Sequence, residues 1–358
     1  MIVALKPLDF DSAGQGSMLK PLKAFLEDNT VSELLINKPY ELYVERGSQM
    51  IRYEVEALSP SYLDELFQVI AIANRSQMSR TSPLFYGSLE DGTRVTLVVP
   101  QTARNFTLSF RRKVVNNFNQ SDYLAQNYYR RTKVLSNLHD PRQMLNTQDF
   151  NLIKQYKQLV KQDSSTHHLD FQKKIDEFII SAVKARKTIV LSGGTSSGKT
   201  TYLNYLMSAI SSDDRIITLE DTRELEVTQP NWVSLKATSG NQDEAQIEMK
   251  ELVKACLRLR PDRIIMGEIR GAEIMNFCSA AKTGHSGSIT TVHADDPESA
   301  FQQLATYYKY NKVVMSDEDI MNTLKSVIDV VIQLGKEQDG RMAQAIWYKH
   351  AELEIADV

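Results

Sequence analysis

The first third of the chain alternates short β-rich runs with turn residues. VSELLIN (31–37), ELYVER (41–46) and MIRYEVE (50–56) are separated by Asn-Lys-Pro and Arg-Gly-Ser, which predicts consecutive strands. Leu63, Leu66, Phe67, Ile70 and Ala71 then fall at offsets of 3, 4, 7 and 8, the single apolar stripe of a helix. FYGSL and RVTLVVP follow, with Glu90-Asp91-Gly92-Thr93 between them as a hairpin turn, and FTLSFRRK (106–113) closes the unit. The pattern predicts an α+β N-terminal domain over residues 1–113, an antiparallel sheet with a helix on one face.

Residues 114–170 are rich in Asn, Gln, Ser and Tyr and carry the breaker Asp140-Pro141. A helix is expected near 149–160 but no clear core, so the stretch reads as a long linker with helical pieces. From 171 to 358 the pattern becomes α/β. Ile175, Phe178, Ile179, Ala182 and Val183 make a helical stripe, and KTIVLSGG is a buried strand. RIITLED (215–221), RIIMGE (263–268), GSITTVH (287–293) and VIDVVIQL (327–334) are further apolar strands, several of them separated by helices, which predicts a mostly parallel sheet.

Composition narrows the class. Lys and Arg total 42 against 45 Asp and Glu, a net charge of −3, which argues against a chain built mainly to coat nucleic acid. No apolar run approaches the ~20 residues that span a bilayer. The opening MIVALKPLDFDSAGQG lacks the basic start of a signal peptide, so a cytosolic protein is expected. Cys256 and Cys278 have no C-x-x-C spacing and lie on apolar helical stripes, which predicts core thiols and neither zinc nor a disulfide.

Gly193-Gly194-Thr195-Ser196-Ser197-Gly198-Lys199-Thr200 fits G-x-x-x-x-G-K-[ST] in full, after a predicted strand and before a predicted helix. The glycines let backbone N–H groups curl around phosphate oxygens, and the helix start turns its positive end toward the same anion. Lys199 is expected to reach the β- and γ-phosphates and Thr200 to ligate magnesium, with Thr201 completing the nucleotide-binding set. Two neighbouring strands end in acids, Glu220-Asp221 and Glu268. Hydrolysis needs one carboxylate to orient or deprotonate water and another to hold the magnesium shell. Glu268 is expected to handle the water, with Glu220 supporting water or metal and Asp221 near the metal. Met266-Gly267-Glu268 stands where a GTPase-type Asp would end the strand, and no N-K-x-D signature occurs, so ATP is favoured. His293 and His285 flank SGSITTV, and His293 is the candidate γ-phosphate sensor. His139, His167, His168 and His350 belong to no constellation.

GGTSSGKTTYLN, LEDTRELE, RLRPDRIIMGEIRGAE and TGHSGSITTVHA together resemble the Walker A, Asp, Walker B and His boxes of the ATPases that power type IV secretion. VSELLINKP, DGTRV and SFRRK are similar as well, so the resemblance covers most of residues 31–334. Pilus-retraction and type II secretion ATPases share the box order, so a type IV pilus or type II secretion motor is the nearest alternative reading. Their pattern favours a second acid after G-E-x-R and a T-L-H ending, where this chain has Gly271 and T-V-H, and type II members often add a four-cysteine zinc insert. The resemblance implies a RecA-like C-terminal domain binding ATP and Mg2+. It also implies a homohexamer on the cytoplasmic face of the bacterial inner membrane, working with channel components there and with room for another secretion ATPase. Arg94 and Arg111 match family arginines that reach the phosphates, with Arg112 replacing Arg111 if the register slips by one. Arg260 and Arg270 resemble positions near the site or a subunit boundary. The stretch between Arg111 and Lys199 is long for a direct connection, so the N-terminal domain closes either its own site or a neighbour's. RRKVVNNFNQSDYLAQNYYRR interleaves bases and aromatics, which keeps DNA contact and a nucleic-acid motor as rival readings.

Overall fold

The computed structural model describes residues 2–5, 18–47, 49–112, 121, 141–161, 169–241, 244–338 and 340–353. Strands β1 (Ile2–Leu5), β2 (Val31–Ile36), β3 (Glu41–Arg46), β4 (Gln49–Val55), β5 (Leu84–Ser88), β6 (Arg94–Val98) and β7 (Thr107–Arg111) form one sheet. Their order is β1-β4-β3-β2-β7-β6-β5. All neighbours are antiparallel except β1, which runs parallel to β4 and makes the sheet mixed. The helix Pro60–Ala73 opens on Ser59, whose hydroxyl accepts from the Tyr62 N–H. It buries Leu63, Leu66, Phe67, Ile70 and Ala71 in the core of this sheet, the stripe read from the sequence.

The second sheet holds β8 (Ile189–Gly193), β9 (Ile216–Glu220) and β10 (Trp232–Lys236), then β13 (Arg263–Met266), β14 (Ile289–Val292), β15 (Val330–Glu337) and β16 (Gly340–Tyr348). Between them, β11 (Thr238–Asn241) and β12 (Glu244–Ile247) pair with each other alone. The order is β10-β9-β13-β14-β8-β15-β16. Six strands are parallel, and β16 returns antiparallel at the edge. The parallel strands are buried along their length, as a sheet covered on both faces requires. Cys256 and Cys278 are buried free thiols, and burial pushes the Cys278 thiol up to about 12. Among the described residues no helix is long and apolar enough to cross a membrane.

One feature departs from the sequence pattern. The helix Thr147–Lys161 places Leu152 and Ile153 in the core beneath β8 and β15, together with Phe178 and Tyr348, so this end of the 114–170 stretch is packed. Its Tyr156 hydroxyl donates to the Ile346 carbonyl at 2.8 Å, and Asp149 pairs with Lys187. The base-and-aromatic segment RRKVVNNFNQSDYLAQNYYRR lies almost wholly outside the described residues, as do His139, His167 and His168.

The first sheet docks against the β10 edge of the second. The Lys236 N–H donates to the Thr102 carbonyl at 2.7 Å and the Arg104 N–H to the Ser234 carbonyl at 3.0 Å. The Arg104 guanidinium lies 4.9 Å from the Trp232 ring centre. Arg215, fully buried, donates to Asn37 Oδ1 at 2.6 Å and to Asn231, while Arg260 pairs with Glu45. Arg260 is thus a tie across this seam. Val98 and Ala103 share one apolar cluster with Leu235 and Leu252.

Candidate functional site

Parallel pairing brings the carboxyl ends of β8, β9, β13 and β14 to one edge of the sheet, where ligands of open α/β sheets bind. A cleft of about 410 Å³ opens there, within the range of small-ligand sites. It is lined by Thr195–Thr201, Glu220, Asp221, Gly267, Glu268, Arg270, Thr291 and His293. A larger hollow of about 630 Å³ beside Asp221 is lined by Lys236, Glu248 and Glu273 and has no phosphate-binding loop, so the smaller cleft holds the chemistry.

The loop leaves β8 at Gly193, where a Cβ would stand 2.5 Å from Ser197 Oγ and 2.6 Å from the Leu334 carbonyl, so only glycine fits. The helix Lys199–Ser208 begins directly after it with no side-chain cap, leaving its first N–H groups to face the cleft. Lys199 Nζ donates to the carbonyls of Gly193 at 2.8 Å and Gly194 at 3.0 Å, and lies 3.3 Å from His293 Nδ1. Its partial burial depresses the ammonium pKa, with Glu268 opposing. On its other side the imidazole Nε2 sits 2.8 Å from Glu268 Oε1. That last contact has charge-pair distance without hydrogen-bond alignment, so buried Oε1 keeps its accepting capacity. The other oxygen, Oε2, takes the Arg270 Nε at 2.7 Å, and Arg270 also reaches Asp221 at 3.3 Å.

Glu220 is buried at the end of β9. Its Oε1 accepts the N–H groups of Glu224 at 2.7 Å and Leu225 at 2.8 Å, while Oε2 has no partner among the described residues. Burial raises its pKa and the two N–H groups counter the rise. Thr200 Oγ1 donates to Glu224 Oε2 at 3.2 Å. Thr291, buried on β14, donates to the Gly267 carbonyl at 2.8 Å and so ties the Glu268 turn to the next strand. Glu220 and Thr200 line the same cleft and offer oxygens of the kind a hard cation takes as ligands.

Not every expected residue is in the cleft. His285 stands at the opposite end of β14 against the Pro261 carbonyl, 2.9 Å away. Arg94 and Arg111 face each other across β6 and β7, and Arg111 pairs with buried Glu33. Arg112 spends its guanidinium on the carbonyls of Asp28 and Val31. Among the described residues, neither Arg94 nor Arg111 is part of the lining of this cleft. Glu224 and Arg341 do line it and were missed. Glu224 could have been suspected from its spacing after Glu220, whereas Arg341 lies far along the chain with no motif around it.

A model of the family described as type II/IV secretion system protein matches residues 151–350. The type IV secretion system protein VirB11 of Bartonella quintana is 31% identical over 334 residues, covering 92% of this chain and 91% of its own. That of Brucella suis is 30% identical over 340 residues, covering 92% and 89%. The crystal structure of the VirB11 ATPase from the Brucella suis type IV secretion system, in complex with sulphate, superposes with a TM-score of 0.82 at 28% identity, covering 95% of this chain and 98% of that one. A P-loop cleft with its acids in place, on a chain alike to these relatives along nearly all of its length, means that the protein belongs to the VirB11 family of type IV secretion ATPases.

Proposed function

We propose that this secretion ATPase hydrolyses ATP with Mg2+ as a ring of six copies, at the cytoplasmic face of a bacterial inner membrane, and drives a type IV secretion channel. The second sheet with its helices is read as a RecA-like domain over 171–358, reached from the 1–113 domain through 114–170. Membrane components of the channel are the expected partners, with a further secretion ATPase and DNA as candidates for the same assembly.

The observation that carries the reading is the buried, accepting Oε1 of Glu268, held beside Lys199 through His293 at the mouth of the phosphate loop. Lys199 moves its ammonium from the loop carbonyls to the β- and γ-phosphates of ATP. Glu268 Oε1 orients a water and takes its proton as the water oxygen attacks the γ-phosphorus and the bond to the β-phosphate oxygen breaks. Arg270 fixes the Glu268 carboxylate from the other side. His293, touching both Lys199 and Glu268, reports the γ-phosphate to the base. Magnesium, when bound, neutralises phosphate charge and orients the reacting group. Thr200 and the free oxygen of Glu220 would hold it, and Asp221 would join them on releasing Arg270.

Arg94 and Arg111, paired across two strands and absent from the lining of their own cleft, fit the site of an adjacent subunit, where arginines from a moving domain stabilise transition-state charge. The test of the chemistry is Glu268→Gln, which keeps the side-chain shape and removes the base. It should bind ATP like the wild type and lose turnover by about 100-fold or more, while Lys199→Ala loses hydrolysis through the phosphate clamp. Near-normal turnover by Glu268→Gln would remove Glu268 from this role.

A further inference from the structure

We propose that Arg341, on the C-terminal hairpin, is a further nucleotide-binding residue that braces the apex of the phosphate loop and offers its guanidinium to the polyphosphate. The proposal rests on the cleft being the ATP site. Its basis is the way the hairpin overhangs that cleft. Strand β15 pairs in parallel with β8, with Leu334 opposite Gly193, the residue at which the loop begins. Everything in β15 beyond Leu334 therefore runs alongside the loop, outside the last paired position of β8. The return strand β16 brings Arg341 opposite Lys336 at this overhanging end.

There Arg341 makes two specific approaches. Its Nε donates to the Ser196 carbonyl at 3.0 Å, and its Cδ lies 2.9 Å from where a Cβ on Gly198 would stand. Gly198 has φ 90° and Ser196 has φ 62°, so both are held in the left-handed region at the turn that Arg341 covers. Nε alone is used. Among the described residues the terminal nitrogens of Arg341 meet no acceptor, and its side chain is exposed on the lip of the cleft. The nearby acid Glu337 accepts from Gln344 at 3.1 Å, and among the described residues it makes no ion pair with Arg341. An arginine with its planar fork unspent, held by Nε at the loop that wraps phosphates, matches an anion of two or three phosphates by bidentate contact. Lysine could supply the charge but not the fork.

The test is fluorescence titration of the full chain with labelled ATP and ADP, alongside KM and kcat, for wild type, Arg341→Ala, Arg341→Gln and Arg341→Lys. Arg341→Ala should weaken both nucleotides and raise KM by about 10-fold, the loss of one charge-assisted contact. Arg341→Gln retains a hydrogen bond for Ser196 without charge and should bind no better than Arg341→Ala. Arg341→Lys should recover part of the affinity, and the deficit of Arg341→Ala should shrink at high salt. Wild-type affinity in Arg341→Ala, or full recovery in Arg341→Gln, overturns the phosphate contact. Lys199→Ala separates the two readings. If it abolishes hydrolysis while Arg341→Ala binds normally, only Arg341 falls, whereas full hydrolysis by Lys199→Ala removes the site itself.

Discussion

The carboxylate of Glu220 divides its two oxygens between the fold and the cleft: one fastens the loop at Glu224 and Leu225, and the other is buried without a partner among the described residues. Nothing in the order of residues forecasts that division, although the strand-end position of the acid was readable. Lys199, Thr200, Glu268 and His293 were legible because each sits within a contiguous run that already contains its structural context. Arg341 was not, because its position over the loop exists only once β16 has paired with β15. His350 had no motif and now has a physical reading. Burial among Lys349, Asp329, Lys187 and Asp149 lowers its pKa from 6.5, the two lysines adding to the effect and the two aspartates opposing it. The folded chain thus binds fewer protons than the unfolded one just below pH 6.5, and stability is present above that value and lost as pH falls through the folded pKa. Urea unfolding between pH 8 and pH 5 should show the wild type losing stability on acidification relative to His350→Gln. Parallel curves for the two proteins would contradict the half-buried, neutral imidazole.

Runs with a clear period, such as Leu63 to Ala71 and KTIVLSGG, became the expected helix and strand because one face or both faces are buried. Strand β16 was missed since it lies at an edge with most of its residues exposed, so no apolar pattern marks it. β1 was overlooked because its few residues join the sheet only by parallel pairing with distant β4. The helix Thr147–Lys161 was expected, but its contribution to a core was not, as Leu152 and Ile153 find their partners on Phe178 and Tyr348. Ile153 is fully buried there. Ile153→Ala should cost about 2–5 kcal/mol in urea unfolding by leaving a cavity under β8 and β15. A loss below about 1 kcal/mol, the range of surface changes, would show that this helix is not part of the core.

At the scale of the whole molecule, the N-terminal sheet is fastened to β10 by Arg215, Arg260 and the strand-like contacts of Ala103 and Leu235. The sequence pattern conveyed two α/β units but not this seam, which is made of side chains 178 and 215 positions apart. Arg94 and Arg111 are absent from the lining of their own chain's cleft, and the account predicts that each working site is built by two subunits. The direct measurement mixes an Arg94→Ala/Arg111→Ala chain with a Glu268→Gln chain under conditions of subunit exchange and follows ATP hydrolysis. Each parent alone should be inactive. In verified mixed rings, some sites join intact arginines from one chain to an intact Glu268 from the other, and those sites should hydrolyse ATP. Mixed rings as inactive as both parents would contradict the shared site and confine each nucleotide to a single chain.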